Sequence, residues 1–290
     1  MNLGNPAAAR SSYEQALEIY RDLASRYPIL GVYRRDISAT LQKVAELNIK
    51  ANDLQNALDL YQERLKIDRQ TSDLFLERNS SDFHNISIDL GKIAGIQSVL
   101  GKTADARKNY EESLALDRRR AVDNDDDIET QERIGTTLSR IAVFQMAGDD
   151  IAGAQKSFQD AYAADMQRAE LTRSAFRKDV NETSRANIVN AYGSVSWSAN
   201  LAGAPQVAAT HAENALKFDP AQTWIDVNRA HAYLLLGRFD EAKAIYLAKK
   251  DLKTNNAAET FADSIRDDFE LLGRLSNVPD LARMRKELGF

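Results

Sequence analysis

Asn52-Asp-Leu-Gln-Asn-Ala-Leu-Asp-Leu-Tyr61 decides the architecture, because its pattern returns as Gly101-Lys-Thr-Ala-Asp-Ala-Arg-Lys-Asn-Tyr110. Each stretch opens on a turn-forming residue, carries alanine five positions on, and places an aromatic four positions after that. The same text recurs at Gly4, Ala9 and Tyr13, at Asp149, Ala154 and Phe158, and at Gly237, Ala242 and Tyr246. A further copy has Gly203 and Ala208, with Ala212 in the aromatic place. The anchoring alanines are spaced 48, 49, 48, 54 and 34 residues apart. Seven residues beyond four of the aromatic positions stands an aspartate: Asp68, Asp117, Asp165 and Asp219. Markers held in register over this length identify an internal repeat.

Working outward, each unit reads as two helices. Leu54, Ala57, Leu58, Tyr61 and Leu65 form one apolar stripe at helical spacing, and Ile37, Leu41, Val44, Ala45 and Leu47 form another upstream of the turn. Ile86, Leu90, Ile93 and Ala94 repeat the upstream stripe before Gly101, and Ile134, Leu138, Ile141 and Ala142 repeat it before Gly148. A small or turn-forming residue accepts the left-handed backbone that closes a helix. Alanine at the marker lets two antiparallel helices approach closely, and the aromatic one turn later fills the space beside that contact.

Composition narrows the function. The 290 residues are 43% hydrophobic and 28% charged, enough to bury a core, and the formal net charge of -5 is not the basic excess of a nucleic-acid binder. The absence of cysteine removes disulfides, thiolate metal sites and cysteine nucleophiles. The three histidines, His84, His211 and His231, include no pair one helical turn apart, so there is no His-Glu-x-x-His zinc motif. His211 and His231 are expected in adjacent helices, near enough to meet. No signal-like start or membrane-length apolar run is read, so the expected location is a soluble compartment, most simply the cytoplasm, with no membrane partner.

Other motif readings fail on spacing. Gly101-Lys102-Thr103 lacks the earlier glycine and the preceding strand of a phosphate loop, since Ile96 stands where that glycine belongs. Asp123, Asp125 and Asp127 alternate like a calcium loop, but Ile128 and Ile134 occupy the glycine and glutamate positions. That run, like Arg78-Asn79-Ser80-Ser81-Asp82, reads as a solvated connector, with anions placed favourably before a helix start. Asn79-Ser80-Ser81 and Asn181-Glu182-Thr183 match glycosylation sequons and carry little weight without a secretion signal.

The repeat resembles the tetratricopeptide repeat superfamily, whose unit is a helix–turn–helix of 34 residues. Ala230, Tyr233, Gly237, Phe239, Ala242 and Tyr246 occupy that family's small, aromatic and turn positions, whereas Arg229 and Lys249 depart from it. The earlier units run about 14 residues longer than the family's unit, as in the extended arrays of kinesin light chains. Their text is similar to bacterial arrays attached to caspase-like or CHAT-type peptidase modules. The resemblance implies an all-α, right-handed superhelical solenoid of antiparallel helix pairs. The array is expected over residues 1–255, its first repeat lacking its first helix, with capping helices over 256–290. The stripe Phe261, Ile265, Phe269, Leu272 and Leu275 and a shorter one after a cap at Asn277 supply those two helices. Because Gly4 is itself a turn residue, the natural chain is expected to extend upstream.

The resemblance also implies a function: a non-catalytic scaffold that binds a protein or peptide, with no cofactor and no metal. The alternative is the regulatory arm of a larger enzyme, a caspase-like or CHAT-type peptidase. In the family the first helix of each unit lines the concave side. Carried over by register, that face comprises Gln42, Lys43, Glu46 and Lys50, then Lys92, Arg140, Asn190, Trp197, Asn200, Asn228 and His231. The early part is cationic and the later part rich in amides. The expected ligand is therefore an acidic or extended peptide, steered by the lysines, its backbone bonded by asparagines. The full lysine/asparagine clamp that some relatives close on a C-terminal carboxylate is missing.

Overall fold

The structure, a computed structural model, describes residues 6–74, 80–254 and 259–290. Gly4, the first turn residue, and Arg78 and Asn79 of the first connector lie outside them. Thirteen helices are present among the described residues, and the one departure from helix and turn is an isolated bridge between Lys253 and Thr260. The chain divides into two compact units, Met1–Asp125 and Asp126–Phe290, the division falling inside the acidic connector.

Unit 1 holds α1 (Pro6–Arg26), α2 (Gly31–Lys50), α3 (Leu54–Leu74), α4 (Ser80–Val99) and α5 (Thr103–Asp123). Unit 2 holds α6 (Ile128–Ala147), α7 (Ile151–Lys178), α8 (Glu182–Leu201), α9 (Pro205–Phe218), α10 (Thr223–Leu235), α11 (Phe239–Lys249), α12 (Phe261–Leu275) and α13 (Leu281–Leu288). The pairs α2/α3, α4/α5, α6/α7, α8/α9 and α10/α11 are the five complete repeats, each a first and a second helix.

One turn closes all five. Asn52, Gly101, Asp149, Gly203 and Gly237 each have φ between 58° and 78°. In every case the next residue's N–H reaches back across the turn: Asp53 to the Asn48 carbonyl, Lys102 to Gln97, Asp150 to Gln145, Ala204 to Ala199 and Arg238 to Tyr233, all at 2.8–2.9 Å. The turn residue itself donates to the carbonyl three before it, as Asn52 does to Ile49 and Gly237 to Leu234, both at 3.0 Å. This is the Schellman closure, which satisfies orphan carbonyls and reverses the chain. Five positions on, Ala57, Ala106, Ala154, Ala208 and Ala242 are wholly buried, and Tyr61, Tyr110, Phe158 and Tyr246 are buried beside them.

The uneven period is helix length. Helices of 20 and 21 residues make the 48–49 spacing, the 28-residue α7 stretches one interval to 54, and α9 and α10, at 14 and 13 residues, shorten the last to 34. The two family departures in the last repeat answer one another. Arg229 lies 2.6 Å and Lys249 3.3 Å from the two oxygens of Asp226.

Register aspartates go inside wherever the helix is long enough. Asp117 on α5 accepts from the Ser87 hydroxyl of α4 and is enclosed. Asp165 on α7 fills the space above Gly135, where an added Cβ would come within 2.8 Å of its carboxylate. Asp68 neighbours Arg64, whose Nη1 lies 2.6 Å from the wholly buried Asp89 and whose Nε donates to Ser38 at 3.0 Å. Asp219 stands just past the end of the short α9 and instead ties the connector, accepting from Ala221 N–H at 3.0 Å and from Gln222 at 2.7 Å.

Candidate functional site

In unit 1 the nominated residues on the first helices α2 and α4 come together. Lys43 and Lys92 are exposed, Glu46 is half-buried between them, and Lys50 is exposed in the last turn of α2. Glu46 accepts from Gln42 at 2.8 Å and pairs with Lys43 at 3.4 Å. Burial pushes the Glu46 carboxyl upward, but the Gln42 hydrogen bond and the charges of Lys43 and Lys92 prevail and hold it below its ordinary value. Lys92, from the next repeat, therefore feels the same carboxylate as Lys43. The result is one carboxylate flanked by cations from two first helices, which leaves the face net positive in a chain of net charge -5.

In unit 2 the nominated residues divide. Arg140 on α6 and Asn190 on α8 are exposed. Trp197 is half-buried, its ring centroid 5.9 Å from that of His231. Asn200, Asn228 and His231 are not on an open face, contrary to the expectation from register. All three are buried, and the two asparagines bond helix to helix: Asn200 donates to the Asn228 carbonyl at 2.9 Å and Asn228 to the Gly193 carbonyl at 3.4 Å. The physical reason is close approach. A Cβ on Gly193 would lie 2.2 Å from the Trp224 ring and 2.9 Å from Ile225, so glycine lets α10 settle on α8 and turns those amides inward.

His231 is wholly enclosed for a second reason. Its Nδ1 is 2.8 Å from the Tyr246 hydroxyl of α11, and its Nε2 is 3.1 Å from Asp268 of α12. An ionised carboxylate only accepts, so it is matched by an Nε2–H, while Nδ1 faces the Tyr246 hydroxyl, which can donate or accept. His211 does not join it; it packs edge-on against Tyr192 at 5.5 Å, with Nδ1 3.0 Å from the Val207 carbonyl.

The helix that covers His231 is α12. Ile265, Phe269, Leu272 and Leu275 are buried in the cluster that holds Met146 of α6, Phe158 of α7, Ala199 and Leu201 of α8, and Tyr246 of α11. At its far end Arg274 donates to the Met146 carbonyl at 2.7 Å and meets Asp149 at 2.8 Å, while Gln155 donates to the Leu275 carbonyl at 2.9 Å. Thus α12 runs from the α10/α11 pair across α8 to the α6–α7 turn, rather than stacking as one more layer after α11. That position falls to α13, which packs on α11. The second cap begins later than expected as well: α13 starts at Leu281, with Asp280 in the left-handed region at φ 55°, and not at Asn277.

Two features were not legible in the sequence. The α12 stripe was legible, but its seat was not, because a stripe reports which side is buried and not against what. The buried ion cluster of Arg64, Asp68 and Asp89 had one visible signal, the aspartate register. Among the described residues no group of three or more side chains is arranged to hold a metal ion. The Asp127 carboxylate from the calcium-like run caps α6, accepting from Glu129 N–H at 3.1 Å and Thr130 N–H at 3.4 Å.

Fold and faces together define a helical repeat array with polar first-helix surfaces. The tetratricopeptide repeat family model matches residues 1–23 and 227–256. Among solved structures the fold is similar to that of BtubC (BKLC) from P. vanneervenii, at 17% identity and a TM-score of 0.53, covering 92% of this chain and 93% of that one. A Podosopora anserina protein of kinesin-light-chain type with nearly identical TPR-like repeats aligns at 12% identity and a TM-score of 0.48, covering 80% and 95%. No curated protein matches the sequence. Among the described residues no helix is long and apolar enough to cross a membrane.

Proposed function

We propose that this protein is a non-catalytic interaction scaffold whose unit 1 takes an acidic, extended peptide along the α2/α4 face. The repeat fold supports the scaffold class, since stacked helix pairs present long surfaces and enclose little that could shield a reaction. One observation carries the finer reading: Lys43 and Lys92, from successive first helices, flank Glu46 and act on it together. Spaced cations on neighbouring helices accept a chain of carboxylates one repeat at a time, and Glu46 sets register by repelling a misaligned acid. Arg140 and Asn190 offer a second, smaller polar surface in unit 2.

The test is a display selection of random peptides on the wild-type chain at low salt. Net-acidic peptides should be enriched, and affinity should fall as salt rises. The double variant Lys43→Glu, Lys92→Glu should bind a selected peptide at least tenfold more weakly. Unchanged affinity in that variant refutes the α2/α4 assignment.

A further inference from the structure

We infer that α12 is a self-ligand: it occupies a helix-binding seat on unit 2, and that seat accepts an amphipathic helix of a partner protein in its place. The inference concerns a different surface from the α2/α4 face, so failure there leaves it standing.

Three observations converge. First, α12 lies on first-helix surfaces that sequence assigned to a ligand, with His231 beneath it and Trp197 beside that ring. Second, it behaves as a guest rather than a repeat layer. Paired helices in this unit are in backbone contact along their lengths, whereas α12 meets α7 and α8 at few points, through one stripe of side chains. Its opposite face carries exposed Asp263, Arg266, Asp267 and Glu270. Third, its near end is held to the Lys250 and Leu252 carbonyls by backbone hydrogen bonds but leaves space beside α10. A pocket of about 400 Å³ opens between the start of α10 and the start of α12, lined by Gln222, Trp224, Lys253, Phe261 and Ser264.

The seat specifies its occupant. Apolar residues at i, i+4, i+7 and i+10 match Ile265, Phe269, Leu272 and Leu275. An acid at i+3, where Asp268 stands, answers His231, and a base at i+9, where Arg274 stands, answers the Met146 carbonyl and Asp149. A helix-in-groove partner is read by such spaced anchors. The tethered α12 competes at high effective concentration, so a free helix binds well only when α12 is weakened.

The experiment uses a fluorescein-labelled peptide of residues 259–278, with its Phe269→Ala form as control, titrated onto the full chain and onto Arg274→Glu. Glutamate at 274 faces Asp149 and a carbonyl, so it loosens the built-in helix while the peptide keeps arginine. Affinity for Arg274→Glu should exceed that for wild type at least tenfold, and the control peptide should not bind. Hydrogen exchange on the wild type gives a reading that does not depend on the variant. Residues 265–275 should exchange at least tenfold faster than α8 and α10. Exchange of α12 at the rate of α8 and α10, or equal peptide affinity for both chains, overturns the inference. A dimer of Arg274→Glu formed by trading α12 between copies also overturns it, in favour of self-association.

Discussion

At the scale of single residues, five backbone reversals and five alanines define the repeat. The turn residues sit at positive φ, where a Cβ costs about 1–2 kcal/mol. Gly237→Ala should therefore lower stability by about 1 kcal/mol, whereas Asn52→Gly should be neutral or stabilising, as thermal unfolding of the two variants would show. The alanines are wholly buried between paired helices, so Ala106→Leu should cost about 1–3 kcal/mol by overpacking, visible as a shift in the denaturation midpoint. Buried charge supplies a pH dependence. Burial, aided by the like charge of Asp68 and opposed by Arg64, raises Asp89 from 3.8 to about 8. The folded chain thus keeps a proton that the unfolded chain has released. This group's contribution is complete below about pH 4 and is lost as pH rises through about 8. Asp89→Asn should flatten that decline in a series of melts across the interval. Truncating Arg64 to Met, which leaves the buried, protonated Asp89 without its guanidinium partner, should cost about 1–3 kcal/mol.

At the scale of elements, helix length and helix spacing do separate work. Long helices carry the register aspartates inside the stack, as with Asp117 and Asp165, while the 14-residue α9 ends before Asp219, which becomes a connector tie. Spacing is set where glycine replaces a side chain. At Gly193 the added methyl of alanine meets Trp224 and Ile225, so Gly193→Ala should push α10 off α8 and strain the Asn200 and Asn228 amide bonds. A loss of about 1–3 kcal/mol is expected, together with faster amide exchange in α10. The same close approach explains why Asn200 and Asn228 of the proposed ligand face proved internal. Polarity at a helical position does not distinguish an asparagine that faces water from one that bonds a neighbouring backbone.

At the scale of the whole molecule, contacts run between neighbouring helices and the chain divides into two compact units. Stability in such arrays is a sum of local terms and nearest-neighbour interfaces. Perturbation should accordingly stay local: Ala242→Leu should raise hydrogen exchange in α10, α11 and the helices that touch them, leaving α2, α3 and α4 unchanged.

Sequence alone determined the two-helix repeat, its turns, its anchoring alanines and their spacing, because each follows from local rules of backbone conformation and side-chain size repeated in register. Asn52 and Ala57 mean the same thing wherever the rest of the chain lies. Only tertiary structure decided that α12 crosses back to the α6–α7 turn, that His231 is enclosed by Tyr246 and Asp268, and that Asn200 and Asn228 join helices. Those outcomes depend on which surfaces meet across separations of 15 to 128 residues, and an apolar stripe or an amide carries no address for its partner.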